Sequence, residues 1–324
     1  MAVKVGTFNL NNLFSRFNFQ AEVAADPDID EGGLTLTFAP NEVDVRTFMG
    51  RLVKQKDPQD TAEIARRILE IMDVDVLAVQ EVEHVEILRK FNRDYLRGLY
   101  PEVVLVEGND TRLIDVGLLS RLPIGPITSH QAARHPDAPR KRVFGRDLVR
   151  VDILDATGET AFSVYNTHMK SHYVPFDEDP VEGARRANER RRQQAEMTRK
   201  IIEAEQGENG RFVLLGDMND PPDSPYLAPM TVIAGRPLVN GLADARETRP
   251  PKPESPGQGD GPTETNWTHR YNPPGPALPL YEQYDQIWLS PALAPRLQEA
   301  FIDRRTKHGG DGSDHDPAWI VLDL

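Results

Sequence analysis

Short apolar runs separated by polar clusters pattern this chain. Nine of them, Val3–Phe8, Val76–Val79, Val103–Val106, Val116–Leu119, Leu148–Leu154, Ala161–Tyr165, Phe212–Leu215, Gln286–Leu289 and Trp319–Leu322, have the length and Val/Ile/Leu content of strands. Three stretches read as helices: Thr61–Met72, with Ile64, Ile68, Leu69 and Met72 on one face, Val85–Leu96, and Val181–Glu205. Strands outnumber helices and do not alternate with them regularly, so a doubly wound parallel sheet is disfavoured. The pattern predicts a mixed α/β sandwich, two packed sheets with helices outside. No repeat or linker divides the chain, and 1–324 reads as a single domain. Irregular segments at about 15–60 and about 244–282, the second crowded with Pro and Gly, are expected to shape a substrate cleft.

Each run is flanked by polar residues of a few types. Asn9 and Asn11 follow the first, Gln80 and Glu81 the second; Asn166, His168 and Lys170 follow another; Asp217, Asn219 and Asp220 sit in "GDMND". Asp285 precedes its strand, and Asp314 and His315 lie in "SDHDP" just before the last one. Taken singly, each cluster has an ordinary account: Asn9 as a turn residue, Glu81 as the cap of a helix starting near His84, Asp217 with Asn219 as an Asx turn before Pro221. Together they place two histidines and five carboxylates almost entirely at strand ends, where neighbouring strands can bring them to one rim.

Composition narrows the chemistry. There is no cysteine, so disulfides and thiolate metal sites are excluded, and any metal would be held by Asp, Glu, Asn or His, which favours a hard cation. The net charge of −13 argues against a non-specific nucleic-acid coat but not against a nuclease, because Arg134–Arg150 gathers six basic residues against Asp137 and Asp147. That stretch is a candidate phosphate-facing rim. No apolar run reaches the ~18 residues of a membrane span. Met1 leads directly into a strand-like segment, so the expectation is a cytoplasmic protein, or an exported one if a leader has been removed.

The ordered set "FNLNN … QEVE … FGRD … NTHMKS … GDMND … YDQIWL … SDH" resembles the endonuclease/exonuclease/phosphatase superfamily, the DNase I-like proteins, over nearly the whole chain. The resemblance implies a four-layer α/β/β/α sandwich with the site at one rim of the sheets. It also implies hydrolysis of phosphate esters with Mg²⁺ or Mn²⁺, Ca²⁺ being a further option. Glu81 resembles the family's metal-binding glutamate, Asn9 the asparagine beside it, and Asp314 a further carboxylate of the metal site. Asp217 and Asn219 match the pair that orients the attacking water and contacts the phosphate. His315 is similar to the general base and Asp285 to its partner. His168 matches a second histidine that contacts the phosphate and helps protonate the leaving oxygen. Arg146 looks like a substrate-phosphate arginine, with Asn166 and Lys170 as further substrate contacts. Arg190 and Gln194, one turn apart on the long helix, read as a solvated or structural face.

The chain departs from the DNase branch in one respect that matters. A further metal-binding glutamate follows the first strand there. Here that segment is expanded and offers Glu42 and Asp44, which leaves a second cation open. "GDMNDPPDS" resembles bacterial nuclease-like members more than abasic-site endonucleases. The reading is a divalent-metal-dependent phosphodiesterase, a nuclease acting on DNA or RNA as a monomer without a stable protein partner. The alternatives are a phospholipid (sphingomyelinase-like) or small-molecule phosphodiesterase or phosphatase, and an inactive binding protein on the same fold.

Overall fold

The computed structural model describes residues 2–14, 18–21, 50–53, 56–110, 112–174, 178–248, 266–271, 279–306 and 310–324. Glu42 and Asp44, and most of both irregular segments, lie outside the described residues. The main strands are β1 (Ala2–Leu13), β2 (Val76–Val82), β3 (Glu102–Leu105), β4 (Asp115–Ser120), β5 (Ile124–Ser129), β6 (Leu148–Leu154) and β7 (Thr160–His168). The second half of the chain adds β8 (Phe212–Asp217), β9 (Val239–Asn240), β10 (Arg246–Glu247), β11 (Asp285–Leu289), β12 (Leu297–Ile302) and β13 (Ala318–Asp323). One sheet has seven strands in the order β10-β12-β13-β1-β2-β4-β3, the other six in the order β9-β11-β8-β7-β6-β5.

The apolar runs are continuous because most central strands are covered on both faces. Val76 and Ala78 of β2 point into the core between the sheets, where they meet Val151, Val164, Val213 and Ile287 of the other sheet. Leu77 and Val79, of opposite parity, pack outward with Ile64, Ile68, Leu88 and Phe91 of the helical layer. On the far side Tyr165, Phe212 and Leu214 meet Ala195 and Ile202 of the long helix. The result is the four-layer α/β/β/α sandwich.

The three helices lie where the apolar spacing put them. Helix α1 (Pro58–Arg66) starts early because Asp57 Oδ1 accepts from Gln59 N at 2.7 Å and Pro58 occupies the first turn. It then widens into a π-helical turn, Arg67–Met72, that turns Arg67 into the interior at 0% exposure. His84, not Glu81, caps α2 (Val85–Asp94), its Nδ1 accepting from Ile87 N. Asp179 caps α3 (Pro180–Gln206) through the N–H groups of Val181 and Glu182.

Two six-residue strands escaped the periodicity reading. β5, "IGPITS", is an edge strand, where Pro126 breaks no ladder bond that a central strand would need. β12, "LQEAFI", is masked by Gln298 and Glu299 at a register shift against β13. Among the described residues no helix is long and apolar enough to cross a membrane.

Candidate active site

Strand register assembles the site. At the end of β8, Asp217 is the direct neighbour of His168 on β7 and of Asp285 on β11, so three residues distant in sequence form one row across the second sheet. Gly216 permits this: its φ is +127° and a Cβ there would lie 2.0 Å from the Thr167 carbonyl oxygen, so only glycine lets β8 approach β7 this closely. Opposite the row, Asn9 pairs with Gln80 in the first sheet, and Asn9 Nδ2 donates to Asp217 Oδ2 at 3.0 Å, joining the two sheets at their rim.

Asn9, Asn11, Gln80 and Glu81 lie inside β1 and β2 rather than beyond their ends, because the pairing continues through an irregularity between Asn9 and Leu13. Such bulges re-aim side chains. Here Asn11, Asn12 and Glu81 have φ of 47°, 60° and 60°, and Asp147 and Asn219 have 74° and 54°. These are five of the nine non-glycine residues with positive φ among those described. Strain of this kind persists where surrounding contacts over-determine it, commonly at functional sites. Asn219 N donates to Asp217 Oδ1 at 2.9 Å, so the Asx turn expected of an ordinary "DMN" segment is present and itself sets the two side chains.

His315 closes the row. Its Nδ1 lies 2.7 Å from Asp285 Oδ2, which leaves Nε2 facing Asp217 Oδ2 at 3.8 Å. Ser313 holds the loop: its hydroxyl donates to Asn9 O at 2.7 Å and accepts from His315 N at 3.1 Å. Burial opposes a charge on His315, but Asp285 and Asp217 outweigh it and raise its pKa well above the ordinary histidine value. Burial pushes Asp217 up to about 7, with His315 opposing and Asp285 adding to the shift. His168 Nε2 is 3.4 Å from the same Asp217 oxygen. Burial, Arg146 and His315 hold the His168 pKa well below the ordinary value, so this imidazole is neutral.

The donor chemistry fits a divalent cation. Burial and the neighbouring Asp314 charge raise the pKa of Glu81, whose Oε2 accepts from Asn12 N at 3.0 Å, so two carboxylates converge there. Asn9 lies against Glu81 as well as Asp217. Asp314 is half-exposed, and its ligand oxygen lies within 4.8 Å of ring nitrogens of His269 and His315. His269 Nδ1 is buried without a hydrogen-bond partner. Oxygen donors with an open side suit Mg²⁺ or Mn²⁺.

The substrate-side candidates divide. Arg146 is 4% exposed; its guanidinium donates to Met169 O and lies 3.4 Å from Asp110 Oδ2, while Nε is buried without a partner. Asp147 anchors it, accepting from Ser129 Oγ and from the backbone N–H groups of His130 and Leu148. Lys170 lies beside Arg146, and burial together with Arg146 and Arg112 pushes its pKa down to about 8.

Asn166 does not reach the site. Its Nδ2 donates to Val79 O and Gly117 O at 3.1 and 2.8 Å and its Oδ1 accepts from Gln80 Nε2 at 2.9 Å, so it clamps the sheets together. Asn166→Ala should lower stability through the stranded partners, about 1–3 kcal/mol for a buried polar group left unpaired. Denaturant melts showing no shift in midpoint would show that Asn166 does not clamp the sheets.

Four residues near the site carried no signal in the sequence pattern. His269 enters from the second irregular segment by a backbone bridge to His315, and its ring packs 4.7 Å from the His315 ring and 5.0 Å from Tyr284. The Lys56 ammonium donates to Asn11 O near Glu81 and Asp314; burial lowers its pKa although acidic neighbours pull the other way. Asp110 joins Arg112 to Arg146. Gln194, by contrast, is structural as expected, accepting from Lys170 N and donating to Val143 O.

With the sandwich and the rim in place, the comparisons decide the family: a family model described as Endonuclease/Exonuclease/phosphatase family matches residues 6–315. The chain belongs to this family, whose members are hydrolases of phosphoester bonds. No curated protein matches the sequence. Among solved structures, an AP endonuclease from Archaeoglobus fulgidus is similar at 17% identity and a TM-score of 0.57, over 99% of this chain and 100% of that one. A 3′ phosphatase from Neisseria, bound to a product DNA hairpin, is similar at 14% and 0.56, over 99% and 100% of the two chains. A mannosyl-6-phosphatase from Bacteroides thetaiotaomicron is similar at 14% and 0.51, again over 99% and 100%. At these identities the likeness shows the fold alone; endonuclease/exonuclease/phosphatase proteins with this sandwich have different substrates.

Proposed function

We propose that this protein is a divalent-cation-dependent phosphodiester hydrolase acting on nucleic acid. The observation that carries the reading is the row His168–Asp217–Asp285 completed by the His315–Asp285 pair, 2.7 Å apart, beside Glu81 and Asp314. Glu81, Asp314 and Asn9 would hold Mg²⁺ or Mn²⁺, which when bound neutralises charge on the phosphoryl oxygens.

The remaining steps belong to side chains of this chain. Asp285 keeps the neutral His315 proton on Nδ1, so that Nε2 accepts a proton from water. Asp217 and Asn219 orient that water for in-line attack on phosphorus. As the new P–O bond forms the opposite P–O bond breaks, the leaving alkoxide being stabilised by the N–H of His168 and taking its proton from solvent, while Asp217 shares with His315 the proton removed from water. Arg146 and His168 contact the phosphate, for which a guanidinium offers a matched pair of donors. The basic stretch Arg134–Arg150 contributes Arg146 to this surface, whereas Arg150 is engaged with Asp152.

The test is a panel of plasmid, linear DNA, RNA, sphingomyelin, mannose 6-phosphate and a chromogenic phosphodiester, each with Mg²⁺ or Mn²⁺ and with excess EDTA. Nucleic-acid cleavage that EDTA abolishes and added cation restores is expected. Release of a lipid headgroup or of inorganic phosphate without strand cleavage would replace the nuclease reading, and full activity in EDTA after exhaustive dialysis would remove the cation.

A further inference from the structure

Beside the histidine–carboxylate row, and continuous with it through Arg146, lies a pocket of about 470 Å³. That volume falls within the roughly 300–1,000 Å³ of ordinary small-molecule sites. One wall is a single face of α3 that includes Gly183, Ala187, Arg190 and Gln194, at the four-, three- and four-residue spacing that aligns helix positions. Gly183 lets the chain after β7 lie against that face, since a Cβ there would meet Val174 Cγ1 at 2.2 Å.

The lining is unbalanced in charge. Arg112, Arg146, Lys170, Arg186 and Arg190 face two carboxylates, Asp110 and Glu178. Both are already engaged: Asp110 with Arg112 at 2.9 Å and Arg146 at 3.4 Å, Glu178 with Arg186 at 2.5 Å. Among the described residues Lys170 Nζ donates only to main-chain oxygens, those of Ser171 at 2.8 Å and Tyr173 at 3.0 Å, and Arg190 donates to the Arg142 carbonyl. Among the described residues neither has a carboxylate within 4.0 Å. Burial and the surrounding arginines depress Lys170, and burial depresses Arg190. Cations gathered in a partly dehydrated pocket are costly unless an anion joins them.

We propose that this pocket is a second anion subsite, in which Lys170 and Arg190 bind a phosphate of the substrate other than the one hydrolysed. The inference rests on the phosphodiesterase reading and deepens it. Arg146 divides the two positions: it borders the catalytic row on one side and the pocket on the other. The face of α3 expected to be merely solvated or structural therefore splits, Gln194 supporting the backbone and Arg190 facing the ligand.

Calorimetric binding needs no turnover and so separates this inference from the proposed reaction. Thymidine 3′,5′-bisphosphate should bind the wild-type protein with Mg²⁺ at least tenfold more tightly than thymidine 5′-monophosphate if the second phosphate comes from a small molecule. Pentathymidylate, titrated in EDTA so that it is bound without being cleaved, should exceed its counterpart with one neutral methylphosphonate linkage by a similar factor if it comes from the next backbone position. Arg190→Ala should reduce whichever ratio is observed to within about twofold of one. Lys170→Gln gives the same reading if Arg190→Ala does not fold. Advantage in neither arm, or a ratio unchanged in a folded variant, overturns the subsite. An intact binding ratio with no hydrolysis of any phosphodiester sinks the proposed reaction and leaves the subsite standing.

Discussion

His315→Ala should lower kcat by about 10²–10⁴, the usual range for loss of a general base, with little change in cation affinity. The imidazole is buried against Asp285 and Asp217 with Nε2 turned toward the reacting side, so its removal deletes the proton acceptor and leaves Glu81 intact. Glu81→Gln should behave differently, weakening the cation itself, so that part of its deficit recovers at high Mn²⁺. Asp285→Asn should resemble His315→Ala, because an amide can fix the wrong tautomer and cannot balance the imidazolium. Activity titrated with Mn²⁺ for the three variants, alongside calorimetric cation binding, tests the set. Rescue of His315→Ala by excess cation, with Glu81→Gln refractory, would exchange the two assignments.

The pH dependence follows from the direction of the His315 shift. Its pKa is raised in the folded protein by Asp285 and Asp217 against the effect of burial. Catalysis by neutral His315 therefore gains on raising pH, with an acid limb of kcat/KM centred above the ordinary value of about 6.5. Asp285→Asn should move that limb downward. Stability runs in the opposite direction: a histidine raised on folding stabilises most below about 6.5, and that contribution is lost as pH rises through its folded pKa. Asp217, raised to about 7, acts in the same sense. Melting temperatures of the EDTA-treated protein should thus show a smaller penalty for His315→Gln at pH 9 than at pH 6. A larger penalty at pH 9 would mean that the folded protein keeps His315 neutral.

Asp316→Ala should be the most destabilising of the changes in "SDHDP". Asp316 is 0% exposed and accepts from Arg305 Nε at 3.1 Å, with Arg304 Nη1 at 3.4 Å and Arg67 Nη2 at 3.5 Å. Arg67 also pairs with buried Asp303 at 2.7 Å. Removing one partner from a buried ionic network leaves uncompensated charge, at a cost of about 3–5 kcal/mol. The expected fall in Tm is on the order of 5–10 °C. Asp314→Ala, at a half-exposed position two residues earlier, should leave Tm within about 2 °C while weakening cation binding. Equal melting curves for the two variants would show that Asp316 is dispensable as an anchor. The two carboxylates that flank His315 thus have separate tasks, one facing the site and one pinning the loop to the π-helical turn.

How much of this was readable from the amino acids follows from what is local. Strands buried on both faces must be apolar at every position, and helices must repeat their apolar face, so β1, β2, β6 to β8 and the three helices declared themselves in short windows. The order of the polar clusters carried the family resemblance, and the fold brings His315, Asp285, Asp217, Asn219 and Glu81 together at one rim. Tertiary structure decided what each neighbour does. Asn166 and His168 share a face of one strand, yet one clamps the sheets while the other meets Asp217, because Asn166 lies deeper, against the Val79 and Gly117 carbonyls of the facing sheet, and His168 stands at the strand's end. Arg67 sat unnoticed inside an apolar helical pattern because a π turn rotates it toward Asp303 and Asp316, 236 and 249 positions away. His269 and the Arg190 face of α3 acquire their surroundings from segments distant in the chain, and no local periodicity carries the information of which distant strand, loop or charge will be packed against them.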